Sequence, residues 1–287
     1  MKHILVTGGA GFIGKALLTI LSKDTNNNLV SLDNYSTGTE ENHVKGVQYL
    51  RGCITEIDKI LKSTRCVDII YHLAAQSRIQ PSFTDPEKCF FYNVTGTLKV
   101  LEFAKLNEAK VIYAGSSSAS KLDTPGGKSP YSLFKYQGEE ICNLYREVFG
   151  LNVEIARFYN VYGPGEITEG HMAAVIGKFR YALDNKLPLS IVGDGEQRRD
   201  FTHVDDIAEG LIAIAESKAS QPHWQLGTGI NYSINEVVKM FGNNISTEYV
   251  EDQPGNYRET LAQLTKQNKQ LLNWVPKRLL ENYIKNL

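Results

Sequence analysis

Apolar runs and amphipathic stretches take strict turns through the first 160 residues, and this alternation constrains the fold more than any single motif. The runs HILVT (3–7), NLVSLD (28–33), VDIIYHLAA (67–75), AKVIYAGSS (109–117) and NVEIARFYN (152–160) are separated by stretches with helical spacing at 12–23, 56–63, 88–107 and 131–149. Strands that are apolar on both faces need cover on both faces, which predicts an α/β chain with a doubly wound parallel sheet. After Asn160 the rhythm breaks into Gly- and Pro-containing loops, helices near 171–184 and 205–217, and short strands at LSIV and WQLG. Ser233-x-x-Glu236 is a capping-box pattern that opens a further helix. The chain therefore divides into residues 1–160 and a second, smaller α/β lobe, 161–287, with room for it to cross back between them.

Charge excludes some partners. The chain carries 31 basic and 32 acidic residues, a net charge of -1, so no global field draws it to nucleic acid or to an anionic membrane. No apolar stretch reaches the length of a membrane span and no signal-type leader precedes HILVT, so a cytoplasmic protein with no membrane partner is expected. The four cysteines form no Cys-x-x-Cys and the six histidines no ligand spacing, which predicts free thiols and no metal site. The helix at 88–107 carries Phe90, Phe91, Val94, Leu98, Leu101 and Phe103, too broad an apolar face for one cover. The sheet is one cover; the second is either the same helix of a second copy, making a homodimer, or the smaller lobe.

HILVTGGAGFIGKAL sets Gly8, Gly9, Gly11 and Gly14 between the first strand and the first helix. Glycines there permit a tight turn and bring backbone N–H groups close to a pyrophosphate, which the helix N-terminus favours electrostatically. The second strand ends on Asp33, placed to bind the adenosine ribose hydroxyls and to repel a 2′-phosphate, and no Lys or Arg follows before Lys45, so NAD is expected rather than NADP. This is a Rossmann-type reading. Its candidate cofactor contacts are Gly8, Gly11, Phe12, Ile13, Gly14, Asp33, Asn34, Ala74, Ala75 and Asn93, joined by Tyr131 and Lys135.

SPYSLFK places Tyr131 one helical turn before Lys135, on the same face. A lone Tyr-x-x-x-Lys means little in a chain with 15 tyrosines, but Ser116, Ser117 and Ser118 end the preceding strand, where the active sites of open α/β sheets lie. Lys135 and a positive nicotinamide would together draw the Tyr131 phenol down toward about 7, usable as a base at neutral pH.

With these segments in order, the chain resembles the extended short-chain dehydrogenase/reductases, and within them the nucleotide-sugar 4-epimerases of the UDP-galactose and UDP-N-acetylglucosamine type. TGGAGFIG, LDNYSTG, YHLAAQ, NVTGT, SSSAS, PYSLFK, RFYNVYGP, GDGEQRRDFTHVDD and PGNYRETLA carry the resemblance over nearly the whole length. It implies that Ser118 is the catalytic hydroxyl, Tyr131 the base and Lys135 the anchor of the nicotinamide ribose. It implies substrate contacts from Gln76, Ser118, Asn160, Arg199, Arg258 and Thr260, the two arginines on the diphosphate. Inversion at C4 of a UDP-hexose or UDP-N-acetylhexosamine would follow by oxidation to a 4-keto sugar and reduction on its other face. Dehydratases and decarboxylases of this family need a carboxylate beside the catalytic hydroxyl, where this chain has Ala119 and Ser120. The chain departs from the family pattern at Cys53, Gln253 and Asn256 and has only 12 residues between Ser118 and Tyr131. Thr260, small where some relatives are bulky, predicts room for an N-acetyl group.

Overall fold

The computed structural model describes residues 1–62, 66–242, 244–264 and 266–287. Twelve strands are present among them: β1 (Lys2–Thr7), β2 (Asn27–Asp33), β3 (Val47–Arg51), β4 (Ile69–His72), β5 (Lys110–Ser116), β6 (Val153–Phe158), β7 (Asn160–Tyr162), β8 (Leu189–Val192), β9 (Arg198–His203), β10 (Trp224–Leu226), β11 (Asn231–Ser233) and β12 (Thr247–Val250). Seven form one sheet in the order β10-β6-β5-β4-β1-β2-β3, with every pairing parallel. The chain leaves β1 toward β2 and later returns to β4 on the other side, which opens a crevice at the carboxyl ends of β1 and β4.

Helices cover both faces, as strands apolar throughout require. Gly96–Asn107 and Pro130–Phe149 bury Leu101, Phe103 and Tyr145 against Val111 and Ile155 on one face. Phe12–Leu21 and Val204–Glu216 bury Leu17, Leu18 and Leu211 with Trp224 and Trp274 on the other. The smaller lobe sets β11-β9-β7 and the pair β12-β8 around Tyr162, Phe179, Ile191 and Phe201. Its helix Ile234–Phe241 starts on a complete capping box: Glu236 N donates to Ser233 Oγ at 3.1 Å and Ser233 N to Glu236 Oε2 at 2.7 Å, a cap worth about 1 kcal/mol. From the later part of the chain, β10 pairs with β6 and the helix Val204–Glu216 packs under the large sheet.

Three local features differ from the sequence expectations. VQYLR forms the edge strand β3, whose residues are only half covered and so show no apolar run. The helix expected over 88–107 is Pro86–Phe90, a π-helical turn Phe91–Thr95, and Gly96–Asn107; such turns cluster at functional sites, and this one carries Asn93 inward. Over 56–63 the described residues hold a 3₁₀ turn, Ile54–Glu56, and a single helical turn, Ile57–Ile60; residue 63 lies outside them. Cys53, Cys66, Cys89 and Cys142 are all free thiols. No helix among the described residues is long and apolar enough to cross a membrane.

Candidate active site

A cavity of about 780 Å3 runs from the carboxyl ends of β1 and β2, past β5, into the smaller lobe. At its first end the chain turns through Gly8, whose φ is +76°, and a β-carbon there would lie 2.9 Å from Ala74 N. At Gly14 a β-carbon would fall 2.2 Å from the Gly8 carbonyl oxygen. The turn thus fits only glycine, and it brings Gly11, Phe12, Ile13 and Gly14 to the cavity wall with Ala74 and Ala75 opposite. Asp33 is buried at the end of β2, where its Oδ2 accepts from Ala10 N at 2.9 Å and its Oδ1 from Tyr35 N at 2.8 Å. These bonds fix the carboxylate and leave it lone pairs for hydroxyl donors. Asn34 lines the cavity beside it.

At the middle of the cavity, β5 runs out into three serines. Ser116 and Ser118 share a hydroxyl hydrogen bond of 2.8 Å, and Ser118 N donates to Ser116 Oγ at 3.2 Å. Tyr131 sits one residue into a helix that Pro130 opens and Ser129 caps, and its N–H donates to Ser82 Oγ at 3.0 Å. Ser116 is the serine whose hydroxyl pulls the phenol pKa down, and it is hydrogen-bonded in turn to Ser118. Burial pushes the phenol up to about 12, against the pull of Ser116 and of the Arg78 charge. Lys135 donates instead to the Ala114 carbonyl at 2.5 Å and lies 4.5 Å over the Tyr113 ring; burial pulls its ammonium down to about 8 while Glu139 opposes. Within the chain alone, desolvation outweighs every charge that would ionise Tyr131.

A buried polar relay holds the loop facing these groups. His72 bonds Thr7 Oγ1 at 2.8 Å and Thr97 Oγ1 at 3.1 Å, and Thr97 donates to the Asn93 carbonyl at 2.7 Å. Asn93 spends its amide on the backbone of Gln76, accepting from Gln76 N at 2.8 Å and donating to Gln76 O at 3.0 Å. It is 1% exposed and off the cavity wall, and its amide holds the Gln76 loop. The Gln76 side chain is likewise absent from the wall, with its Oε1 buried and unpartnered.

The far end is built from side chains. Asn160 lines the cavity and donates to the Asp200 carbonyl at 3.1 Å. Arg199 also lines it, with Nη2 donating to Asn256 Oδ1 at 2.8 Å and its guanidinium 4.7 Å over the Tyr257 ring. Two expected substrate contacts lie elsewhere. Arg258 is on the outer surface, its side chain 65% exposed, paired with Asp194 at 2.9 Å. Thr260 is fully buried behind the wall, its hydroxyl accepting from Asp200 N at 3.2 Å, so the room it was expected to leave for an N-acetyl group is not cavity space. Asp200, which carried no sequence signal beyond its motif, is the hub here: buried, it accepts from Thr228 N, Gly229 N and Ala262 N at 2.9, 2.9 and 3.0 Å. Sequence reasoning also passed over Arg78 and Tyr257, both on the cavity wall next to Tyr131.

The NAD dependent epimerase/dehydratase family profile matches residues 4–227. A UDP-glucuronate 4-epimerase of Thermodesulfobacterium geofontis is 31% identical over 99% of this chain and 94% of its own. UDP-glucuronic acid decarboxylase 3 of Arabidopsis thaliana is 30% identical over 96% of this chain and 84% of its own. Among solved structures, UDP-glucuronic acid 4-epimerase from Bacillus cereus, in complex with UDP-glucuronic acid and NAD, superposes with a TM-score of 0.87 at 27% identity, covering 99% and 96% of the two chains. The chain belongs to the epimerase/dehydratase family. Its cofactor is NAD. The site fits the dinucleotide on its own terms: a glycine turn that a β-carbon would close, and Asp33, the sole carboxylate on the described wall, at the ribose end. As a member of the family it is an enzyme acting through that cofactor. Among the described residues no cluster of side chains could hold a metal ion.

Proposed function

We propose that this epimerase/dehydratase inverts C4 of a nucleotide-diphosphate hexose with no net oxidation, a UDP-sugar being favoured. One observation supports the reading: the Tyr131 phenol and the mutually hydrogen-bonded hydroxyls of Ser116 and Ser118 lie together on the wall of the cavity that begins at the glycine turn, with no carboxylate on that stretch. Ala119 and Ser120 stand where elimination or decarboxylation needs an acid, and the Ser120 hydroxyl is turned away to the Ser117 carbonyl at 2.8 Å.

Bound NAD supplies the hydride acceptor and then the hydride donor for the sugar carbon. Tyr131 takes the proton of the C4 hydroxyl and returns it, with Ser118 and Ser116 sharing the proton between them. Lys135 leaves the Ala114 carbonyl to anchor the nicotinamide ribose. Arg199 holds the sugar diphosphate against Tyr257, and Arg258 joins it only by leaving Asp194, a change that an exposed ion pair permits at little cost. Asn160 orients the sugar, while Asn93, Gln76 and Thr260 position the loops around it.

The enzyme also acts, we infer, as a homodimer. Phe90, Phe91, Leu98, Leu133, Leu144 and Val148 remain exposed on the adjoining helices Pro86–Phe90, Gly96–Asn107 and Pro130–Phe149 and in the turn that links the first two. Sedimentation of the wild type as a dimer and of Leu144→Glu as a monomer would support it.

The catalytic reading is tested by 1H NMR of UDP-sugars incubated with the NAD-loaded enzyme. A 4-epimer, with no build-up of NADH, is the expected product; a pentose with carbon dioxide, or a dehydrated keto sugar, would refute it.

A further inference from the structure

Arg78 is a half-buried cation on the cavity wall that forms no ion pair among the described residues. The described wall carries four fixed cations, Arg78, Lys135, Lys178 and Arg199, against the single carboxylate of Asp33. Lys135 is engaged with Ala114 and Arg199 with Asn256 and Tyr257. Arg78 uses only Nε, which donates to the Met172 carbonyl at 2.9 Å, and pairs with no carboxylate among the described residues. Its guanidinium borders the cavity within electrostatic reach of the Tyr131 phenol. The carboxyl group whose charge bears on it is Glu166, buried and off the wall, with neither oxygen hydrogen-bonded and burial pushing it up to about 7.

The backbone bears on the same point. Arg78 has φ +83° and ψ 142°, on the side of conformational space where a β-carbon is strained and glycine is relaxed. It lies directly before the helix Ile79–Thr84, whose Ser82 binds the Tyr131 N–H and whose Gln80 Nε2 donates to the Pro254 carbonyl at 2.8 Å. Both neighbours therefore fix Arg78 relative to the phenol. A strained position held firmly beside the reacting group, bearing a half-buried cation with open donors, is a site built for an anion.

Resting on the C4-epimerase reading, we propose that Arg78 recognises a carboxylate carried by the sugar on a carbon flanking C4, so that the enzyme prefers an acidic sugar nucleotide over a neutral one. With the C4 hydroxyl at Tyr131, the substituents at C5 and C3 lie to either side of the phenol, where Arg78 reaches. The two nitrogens of the guanidinium that stay free can hold both oxygens of a carboxylate, and a hydroxymethyl group in its place would leave the cation desolvated and unpaired.

The test compares UDP-glucuronate, with its carboxylate on C5, UDP-N-acetylmuramate, with its carboxylate on the C3 ether, and neutral UDP-glucose, using NAD-loaded enzyme and NMR of the products. We expect kcat/KM for one of the two acids to exceed that for UDP-glucose by about 10²-fold, and which acid it is assigns the flank. Arg78→Gly relieves the backbone strain, so it should melt no lower than wild type and keep its bound NAD, while the acid-to-neutral ratio collapses about 10²-fold, chiefly through KM. Arg78→Lys should restore part of the ratio. Equal turnover of acid and neutral sugars by the wild type, or loss of bound NAD in Arg78→Gly, would overturn the proposal. Release of carbon dioxide from UDP-glucuronate would sink the epimerase reading yet leave the acid preference standing, and turnover of none of the three would overturn both.

Discussion

The two ends of the cavity are built by different means. The glycine end is made of backbone: a β-carbon at Gly14 would strike the Gly8 carbonyl at 2.2 Å, and Asp33 is preset by two backbone N–H groups. The guanidinium end is made of long side chains, with Arg199 on β9 held by Asn256 and the Tyr257 ring and Arg258 turned outward to Asp194. A backbone cradle is rigid and tolerates no substitution. A side-chain clasp adapts to its ligand, and its members differ widely in weight.

That contrast orders the expected effects of substitution. Between the two ends, Tyr131→Phe removes the proton carrier and should lower kcat by a factor on the order of 10² to 10⁴ while heat-released NAD per chain stays as in wild type. A loss of NAD instead would make Tyr131 part of the cradle. Gly14→Ala should empty the enzyme of NAD, because the atoms in its way are backbone and cannot swing aside; retention of the cofactor would show the turn to be as adaptable as the clasp. Arg199→Met should raise KM about 10- to 100-fold with kcat little changed, the scale of a lost charge-assisted contact. Arg258→Ala, removing an exposed side chain off the wall, should change KM by less than about threefold; an effect as large as that of Arg199 would place both arginines on the ligand.

A smaller effect concerns stability rather than rate. Burial, aided by the Lys135 charge, pulls the His72 imidazole down to about 3, so the native state keeps it neutral where the unfolded chain would protonate it. The unfolded state then binds more protons below its ordinary pKa of about 6.5, and stability present above that pH is lost as pH falls toward about 3. His72→Gln should flatten this acid loss in urea melts between those limits. An unchanged slope would mean that the Thr7–His72–Thr97 relay does not carry it.

How much of this was legible in the sequence follows the same division. Glycines at fixed offsets and an acid at a strand end identify a backbone cradle, because spacing alone dictates where those atoms go. The apolar strands likewise announce a sheet covered on both faces, whereas β3, half covered at the edge, has no run to read. Spacing could not show that Ser116 and Ser118 share a hydrogen bond, since that depends on the 3₁₀ turn at Ser117–Lys121. Nor could it show that the π-turn swings Asn93 onto Gln76, or that Thr260 faces Asp200 rather than the cavity. Arg78 was overlooked because its meaning lies in what it fails to pair with, which only the fold reveals. The burial of Tyr131 was hidden for a related reason: sequence supplies the charges near a group but not how deeply it is buried.

The account rests on a single carbon giving up a hydrogen and receiving the same one back inside a closed site. The direct measurement takes whichever UDP-sugar the NAD-loaded enzyme turns over, carries deuterium at C4, and follows the label by NMR in the 4-epimer formed in ordinary water. Full retention of deuterium at C4 of the product is expected; its replacement by solvent hydrogen, or its appearance at another carbon, would contradict the mechanism.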